Sequence, residues 1–182
     1  MINQPPGTVH ILGSLRSTDN GGIVRIEDVF DTDADDLWSA ITQPERLARW
    51  YGEIEGDLTV GGLYTMYLQG PGLYGVGRIE TCEPPRHLRV VSAETDESWR
   101  LGDDLPDLDG FAEVTLTRDG ERTTLVIETG WMPVDQIAFY GVGWQLHVEH
   151  LAAYLAGSDN YDEQARWQEL EPSYLELAAA LR

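Results

Sequence analysis

The chain has 182 residues, enough for one domain with a sizeable core, and its 42% hydrophobic and 24% charged content is ordinary for a globular protein. Thirty-two Asp and Glu against twelve Lys and Arg leave a formal net charge of -20. Such a surface repels phosphate backbones and anionic lipid, so nucleic acid and membrane surfaces are not expected partners.

The acidity reads first as a solubility or high-salt adaptation and second as an acidic docking face. The single cysteine, Cys82, excludes an internal disulfide and fits a reducing compartment. Its place before the turn Glu83-Pro84-Pro85 suggests a structural role. The opening MINQPPGTVH lacks the basic and apolar regions of a secretory signal. No apolar run approaches the roughly eighteen residues of a membrane span, so a cytoplasmic protein is expected.

Residues 9–16 and 23–30 read as two strands joined by a turn around Asn20-Gly21-Gly22, a hairpin signal. In the second strand Val24, Ile26, Asp28 and Phe30 share one face, which is the more apolar although Asp28 interrupts it. Asp33 is the expected cap of a first short helix, with Asp35 and Asp36 at the positive end of its dipole. Leu37, Trp38 and Ile41 form its apolar stripe. Thr42 to Glu45 reads as a capping box for a second short helix, with Pro44 in its first turn and Leu47, Trp50 and Tyr51 as its stripe.

Strands are then expected over 53–60, 63–68, 74–82, 87–94, 111–118 and 122–129, separated by Gly- and Pro-containing turns and by an acidic loop over 101–110. Short strands connected in sequence argue for an antiparallel meander. Over 134–156 the pattern switches to helical spacing, with Ile137, Trp144, Val148, Leu151 and Leu155 recurring and Gly157 as the stop. Such a helix would run about 35 Å, enough to cross a sheet. The segment 158–182 carries Trp167 and Leu170, and is expected to break at Pro172 and restart with the capping signature Ser173-x-x-Glu176. It reads as a helical tail, docked on the domain formed by 1–157 or placed at a dimer interface.

This order of elements, with the motifs LWSAITQPERLARWYG, DLTVGG and GVGWQLHVEHLAAYL, resembles one branch of the START/birch-pollen-allergen (SRPBCC) superfamily. That branch comprises homologues of the activator of the heat-shock-protein-90 ATPase. The resemblance covers roughly 23–157 and implies an α+β helix-grip fold. In it a curved antiparallel sheet wraps a long C-terminal helix, two short helices follow the first core strand, and an internal cavity lies between. It also implies a cavity that can hold lipids, sterols, hormones or polyketides, where some superfamily members catalyse ring closure. The branch's co-chaperone role depends on a second domain, for which this chain has no room. Fold does not fix function.

The expected ligand-binding set is Trp50, Tyr51, Tyr64, Met66, Tyr74, Trp99, Trp131, Tyr140, Trp144 and His147, with Tyr67 and Phe139 in the same aromatic group. Such rings give an apolar wall with a few polar handles, or else they simply fill the core. Gly141 and Gly143 sit inside the long helix, where each costs about 1 kcal/mol relative to alanine. Either close packing or room for a ligand beside Trp144 would explain them.

His147 and His150 at i and i+3 do not match the i, i+4 zinc-protease spacing, so no metal is assigned. His147 is expected to face the cavity as a hydrogen-bonding group. There is no nucleophile elbow, phosphate loop or Cys-His pair, so no catalytic residue and no cofactor are assigned. Glu128 and Asp135 flank Trp131 as candidate acid and base. His147 with Tyr140 or Tyr64 is the best acid–base pairing if chemistry occurs.

Three readings follow. The leading one is a small-molecule binding protein holding an apolar or aromatic ligand. The second is a protein-interaction or co-chaperone-like module that uses the acidic surface and the tail. The third is a cyclase- or hydrolase-type enzyme in the same cavity. Homodimerisation through the N-terminal hairpin or the tail is open beside all three.

Overall fold

The computed structural model describes residues 9–68, 70–158 and 162–181. The first eight residues, on which the leader reading falls, lie outside this set, as do 159–161 and Arg182 of the tail. Eight strands form one antiparallel sheet: β1 (Gly13–Thr18), β2 (Gly21–Phe30), β3 (Glu53–Gly56), β4 (Leu63–Leu68), β5 (Leu73–Glu83), β6 (His87–Thr95), β7 (Gly110–Asp119) and β8 (Arg122–Met132). Their spatial order is β1-β2-β8-β7-β6-β5-β4-β3, so only the β2–β8 pairing joins strands distant in sequence. The hairpin β1–β2 forms as expected, with Gly21 at φ 126 closing the turn. On β2, Val24, Ile26 and Phe30 are buried while Val29 is exposed, so the expected facing holds.

Helices α1 (Ala34–Thr42) and α2 (Pro44–Leu47) bridge β2 and β3. Asp33 caps α1, its carboxylate accepting from the Asp36 amide at 2.9 Å. The expected Thr42–Glu45 capping box does not form. The Thr42 hydroxyl turns back to donate to the Trp38 carbonyl at 2.7 Å, and Gln43 closes α1 and opens α2 without a side-chain bond. Pro44 takes the first position of α2, where its missing amide costs nothing. The strand expected over 53–60 stops at Gly56, whose φ of 137 turns the chain away.

After β8 a single 3₁₀ turn (Val134–Gln136) leads into α3 (Ile137–Leu155), about 28 Å long and gripped by the sheet. Gly157 ends it at φ 70. The last helix, α4 (Glu163–Ala179), starts at an Asp162 cap and packs against α3 and β1. It runs unbroken through Pro172, against the expected break there. Tyr174 and Leu170 on either side of that proline are fully buried, and their packing holds the helix together. The architecture is the helix-grip α+β fold. Among the described residues, no helix is long and apolar enough to cross a membrane.

Candidate functional site

Strands β4 to β8, the loop before β7, the turn after α2, one face of α3 and the start of α4 line an open cavity of about 1200 Å³. On α3, Tyr140, Gly143, Trp144 and His147 lie three and four residues apart, the spacing that brings side chains onto one helix face. Opposite them stand Tyr64 and Met66 of β4. Both lie across from glycines on the paired strand: Tyr64 pairs with Gly77 and Met66 with Gly75. A Cβ on either glycine would overlap the facing side chain, so the Tyr-Gly-Val-Gly run of β5 makes the slots for the cavity wall.

The turn after α2 brings in Trp50 and Tyr51. The Trp50 indole donates to the Ala40 carbonyl at 3.0 Å, satisfying an acceptor near the open end of α1. Tyr51 is then packed among rings: Trp50 at 5.5 Å, Trp144 at 5.9 Å and His147 at 4.9 Å between centroids. Trp144 and His147 also meet edge to face at 5.8 Å. Four rings drawn from two distant segments thus form one continuous aromatic wall.

Burial sets the charge state of the polar groups in this wall. Desolvation depresses His147 to about 4, with nearby His150 adding to the shift, so the imidazole is neutral at physiological pH. A neutral imidazole offers one donor and one acceptor. Burial likewise pushes the Tyr51 hydroxyl up to about 12 and raises Tyr64, whose ionisation the nearby Tyr51 also opposes. Every polar handle deep in the cavity is therefore uncharged near pH 7. Charge appears at the rim, where Glu94, Asp107, Asp109 and Glu163 line the opening. The Tyr140 hydroxyl donates to Glu94 there at 3.3 Å, and burial together with that carboxylate raises its pKa.

Trp131 reaches the mouth by an unusual backbone route. Its φ of 71 is left-handed, rare for a bulky residue and costing about 1–3 kcal/mol. The strained residue sits at the register shift between β2 and β8, with its indole edge-to-face on Phe111 at 4.8 Å.

Eight of the ten residues expected to bind a ligand line the cavity: Trp50, Tyr51, Tyr64, Met66, Trp131, Tyr140, Trp144 and His147. Two do not, and this corrects the sequence reading. Tyr74 is the cross-strand partner of Tyr67, and the two rings meet at a tilt with centroids 4.6 Å apart. They sit out of phase with Tyr64 and Met66, since strand side chains alternate between faces. Trp99 lies in the loop after β6, its indole donating to the Asp104 carbonyl at 3.2 Å. Glu128 and Asp135 also fall outside; Glu128 pairs with Arg16 on the hairpin at 3.2 Å. His150 lines the cavity and hydrogen-bonds the backbone of Trp50. Among the described residues no group of three His, Cys, Asp or Glu side chains could hold a metal ion.

Sequence reasoning missed the role of Gln145. This fully buried residue accepts from the Leu12 amide at 3.0 Å and the Tyr174 hydroxyl at 2.7 Å. It donates to the His10 carbonyl and to Glu149, each at 2.8 Å. Glu149 in turn takes two bonds of 2.8 Å from Arg166 of α4. The only signal in the sequence is a polar i, i+4 pair inside an apolar helix; Leu12 and His10 lie over a hundred residues away and Tyr174 lies 29 away on another helix.

Among solved structures, the crystal structure of CalU16 from Micromonospora echinospora is similar at 27% identity and a TM-score of 0.69, over 92% of this chain and 96% of that one. A protein from Arthrobacter aurescens is 26% identical with a TM-score of 0.66, over 81% of this chain and 93% of its own. DynU16, a protein of the dynemicin biosynthetic locus, is 25% identical with a TM-score of 0.62, over 74% of this chain and 47% of its own. A search of curated proteins returned no match. The family model described as "Activator of Hsp90 ATPase homolog 1-like protein" matches residues 31–156, from the residue after β2 to the end of α3, and the chain belongs to that family.

Proposed function

We propose that this protein binds an apolar or aromatic small molecule in the cavity between the sheet and α3. One observation carries the reading: an aromatic wall of Trp50, Tyr51, Trp144 and His147 lines a 1200 Å³ cavity, and its deep polar groups are neutral. Ligand pockets combine apolar walls with a few placed hydrogen-bonding groups in this way, and typically measure about 300–1,000 Å³. A flat ring can stack on Trp144 and Tyr51 while His147 and the Tyr64 hydroxyl take its polar substituents. The similarity to DynU16, a protein of a biosynthetic locus, supports a small-molecule ligand of that kind.

Gly143 supplies the test. It lines the cavity, and a Cβ there meets nothing within 4 Å. Gly143→Phe is expected to fill the space from the helix side while leaving the core intact. Thermal shift and native mass spectrometry against a panel of lipids, aromatics and polyketide-like compounds should give a hit with the wild type and none with G143F. A hit that G143F retains at full strength would place the ligand elsewhere.

A second reading, a ring-closing enzyme, is favoured by the neutral His147, whose ring meets Tyr51 edge to face in the cavity wall and could act on a bound substrate as a base. It predicts that His147→Ala abolishes turnover even at ligand concentrations that saturate the variant, beyond any loss of affinity.

A further inference from the structure

A second, smaller chamber of about 150 Å³ lies under α1 and α2. It is walled by Ile41, Leu47, Ile54, Ile79, Leu88 and Ile127, contributed by both short helices and by four strands. Its polar exceptions are few. The Thr42 hydroxyl on its wall is already spent on the Trp38 carbonyl. The Cys82 thiol, also on the wall, is held protonated by burial. A void of this size and lining offers water no set of hydrogen bonds, and apolar cavities of roughly 150 Å³ stay dry and take up xenon or benzene.

The chamber and the large cavity share one partition. Tyr51, Tyr64, Met66 and Trp144 line both. On one face these side chains present the aromatic wall described above; on the other they close a predominantly apolar space. Met66 is unbranched and readily repacked. Tyr51 stands on the short turn after α2 rather than in a regular element. Trp50, Val90 and Ala112 also line both spaces, so the partition is drawn from β4, β6, β7, α3 and the turn after α2.

We propose that the chamber is a dedicated subsite for a short alkyl or small apolar arm of the ligand. The ligand's ring system lies in the large cavity against Tyr51 and Trp144, and its arm passes between Tyr51 and Met66 into the chamber. This rests on the ligand-binding reading above and adds the shape of the ligand to it: a ring system carrying a compact hydrocarbon branch. The chamber then selects on branch length, while the large cavity, wider and acidic at its rim, selects on the ring.

Two measurements test it. Crystals pressurised with xenon are expected to show a xenon peak among Ile54, Ile79, Leu88 and Ile127. Ordered water in that space, or xenon bound only elsewhere, overturns the subsite. Calorimetry with 2-naphthol and its n-alkyl derivatives, from methyl to hexyl, reads the arm directly. Each methylene that enters the chamber should raise affinity about fourfold, until the space is full and the gain stops.

Val114 lines the chamber but not the large cavity. Val114→Phe should abolish the xenon peak and bring the affinity ratio of long-chain to parent naphthol to unity. Val114→Leu is a milder filling for use if the phenyl ring prevents folding, and should shorten the chain length at which the gain stops. If neither naphthol nor any derivative binds, the reading of the large cavity falls. If the parent binds and chain length gives nothing, the subsite alone falls.

Discussion

Gly141 and Gly143 stand two residues apart on α3. A methyl group on the first would overlap the Tyr174 ring, whereas one on the second would meet nothing within 4 Å. The difference separates two faces of one helix. Gly141, Gln145 and Glu149 follow at four-residue spacing and meet Tyr174 and Arg166 of α4 and the chain before β1. Tyr140, Gly143, Trp144 and His147 line open space. On the first face Gln145 and Glu149 are tied to partners inside the protein; the second face turns its polar groups toward the cavity, with Tyr140 bonded to Glu94 at the rim. A glycine on the first face admits a neighbouring ring, and on the second it leaves volume for a ligand. Stability is concentrated on one face and binding capacity on the other.

Replacing Gln145 by Leu should break this contrast most severely. It strips partners from the Leu12 amide, the His10 carbonyl and the Tyr174 hydroxyl together. Leaving such groups unsatisfied in the interior should cost about 3–5 kcal/mol in chemical denaturation. A loss below about 1 kcal/mol would mean that the packed face is not where stability resides.

The open face makes its own, smaller demand on stability through pH. His147 is held down to about 4 by burial, against 6.5 for the free side chain. The unfolded chain therefore binds the proton more readily than the folded one. The contribution of neutral His147 is complete above pH 6.5 and is lost as pH falls toward 4, amounting to about 3 kcal/mol at the acid end. Urea midpoints between pH 7 and 4 should fall less steeply in His147→Gln than in the wild type. Parallel curves would show that this histidine titrates normally.

The two glycines give the finest comparison. Gly141→Ala should lower stability by about 2 kcal/mol as Tyr174 is displaced. Gly143→Ala should raise it by about 1 kcal/mol through helix propensity alone. Thermal melts of the two single variants should thus move in opposite directions.

Much of this division was legible in the sequence, but unevenly. The cap at Asp33, the stop at Gly157 and the meander between them depend on neighbouring residues and on period-two or helical patterning, and these appear as expected. The Thr42 box failed because its hydroxyl had a nearer acceptor in the helix it ends. Pro172 reads locally as a helix breaker, yet burial of Leu170 and Tyr174 overrides it. Tyr74 was misplaced because strand phase depends on where β4 and β5 begin, and their aromatic content does not reveal that. Gln145 was invisible in its role because its partners, residues 10, 12 and 174, come from both outer parts of the chain. The paired glycines stand out in the sequence, but nothing near them in the chain distinguishes a glycine that admits Tyr174 from one that faces open space.

The meeting of those outer parts at one amide side chain bears on cooperativity. The segment before β1 and helix α4 both lie outside the family-matched stretch 31–156, yet they are tied to its central helix through the same residue. Opening either of them removes a partner that the other shares. Fraying at the two ends is thus coupled rather than independent, and local opening of α4 has to loosen the N-terminal segment as well. Through Gln145, the segments that flank the family-matched stretch share one hydrogen-bond network with its central helix.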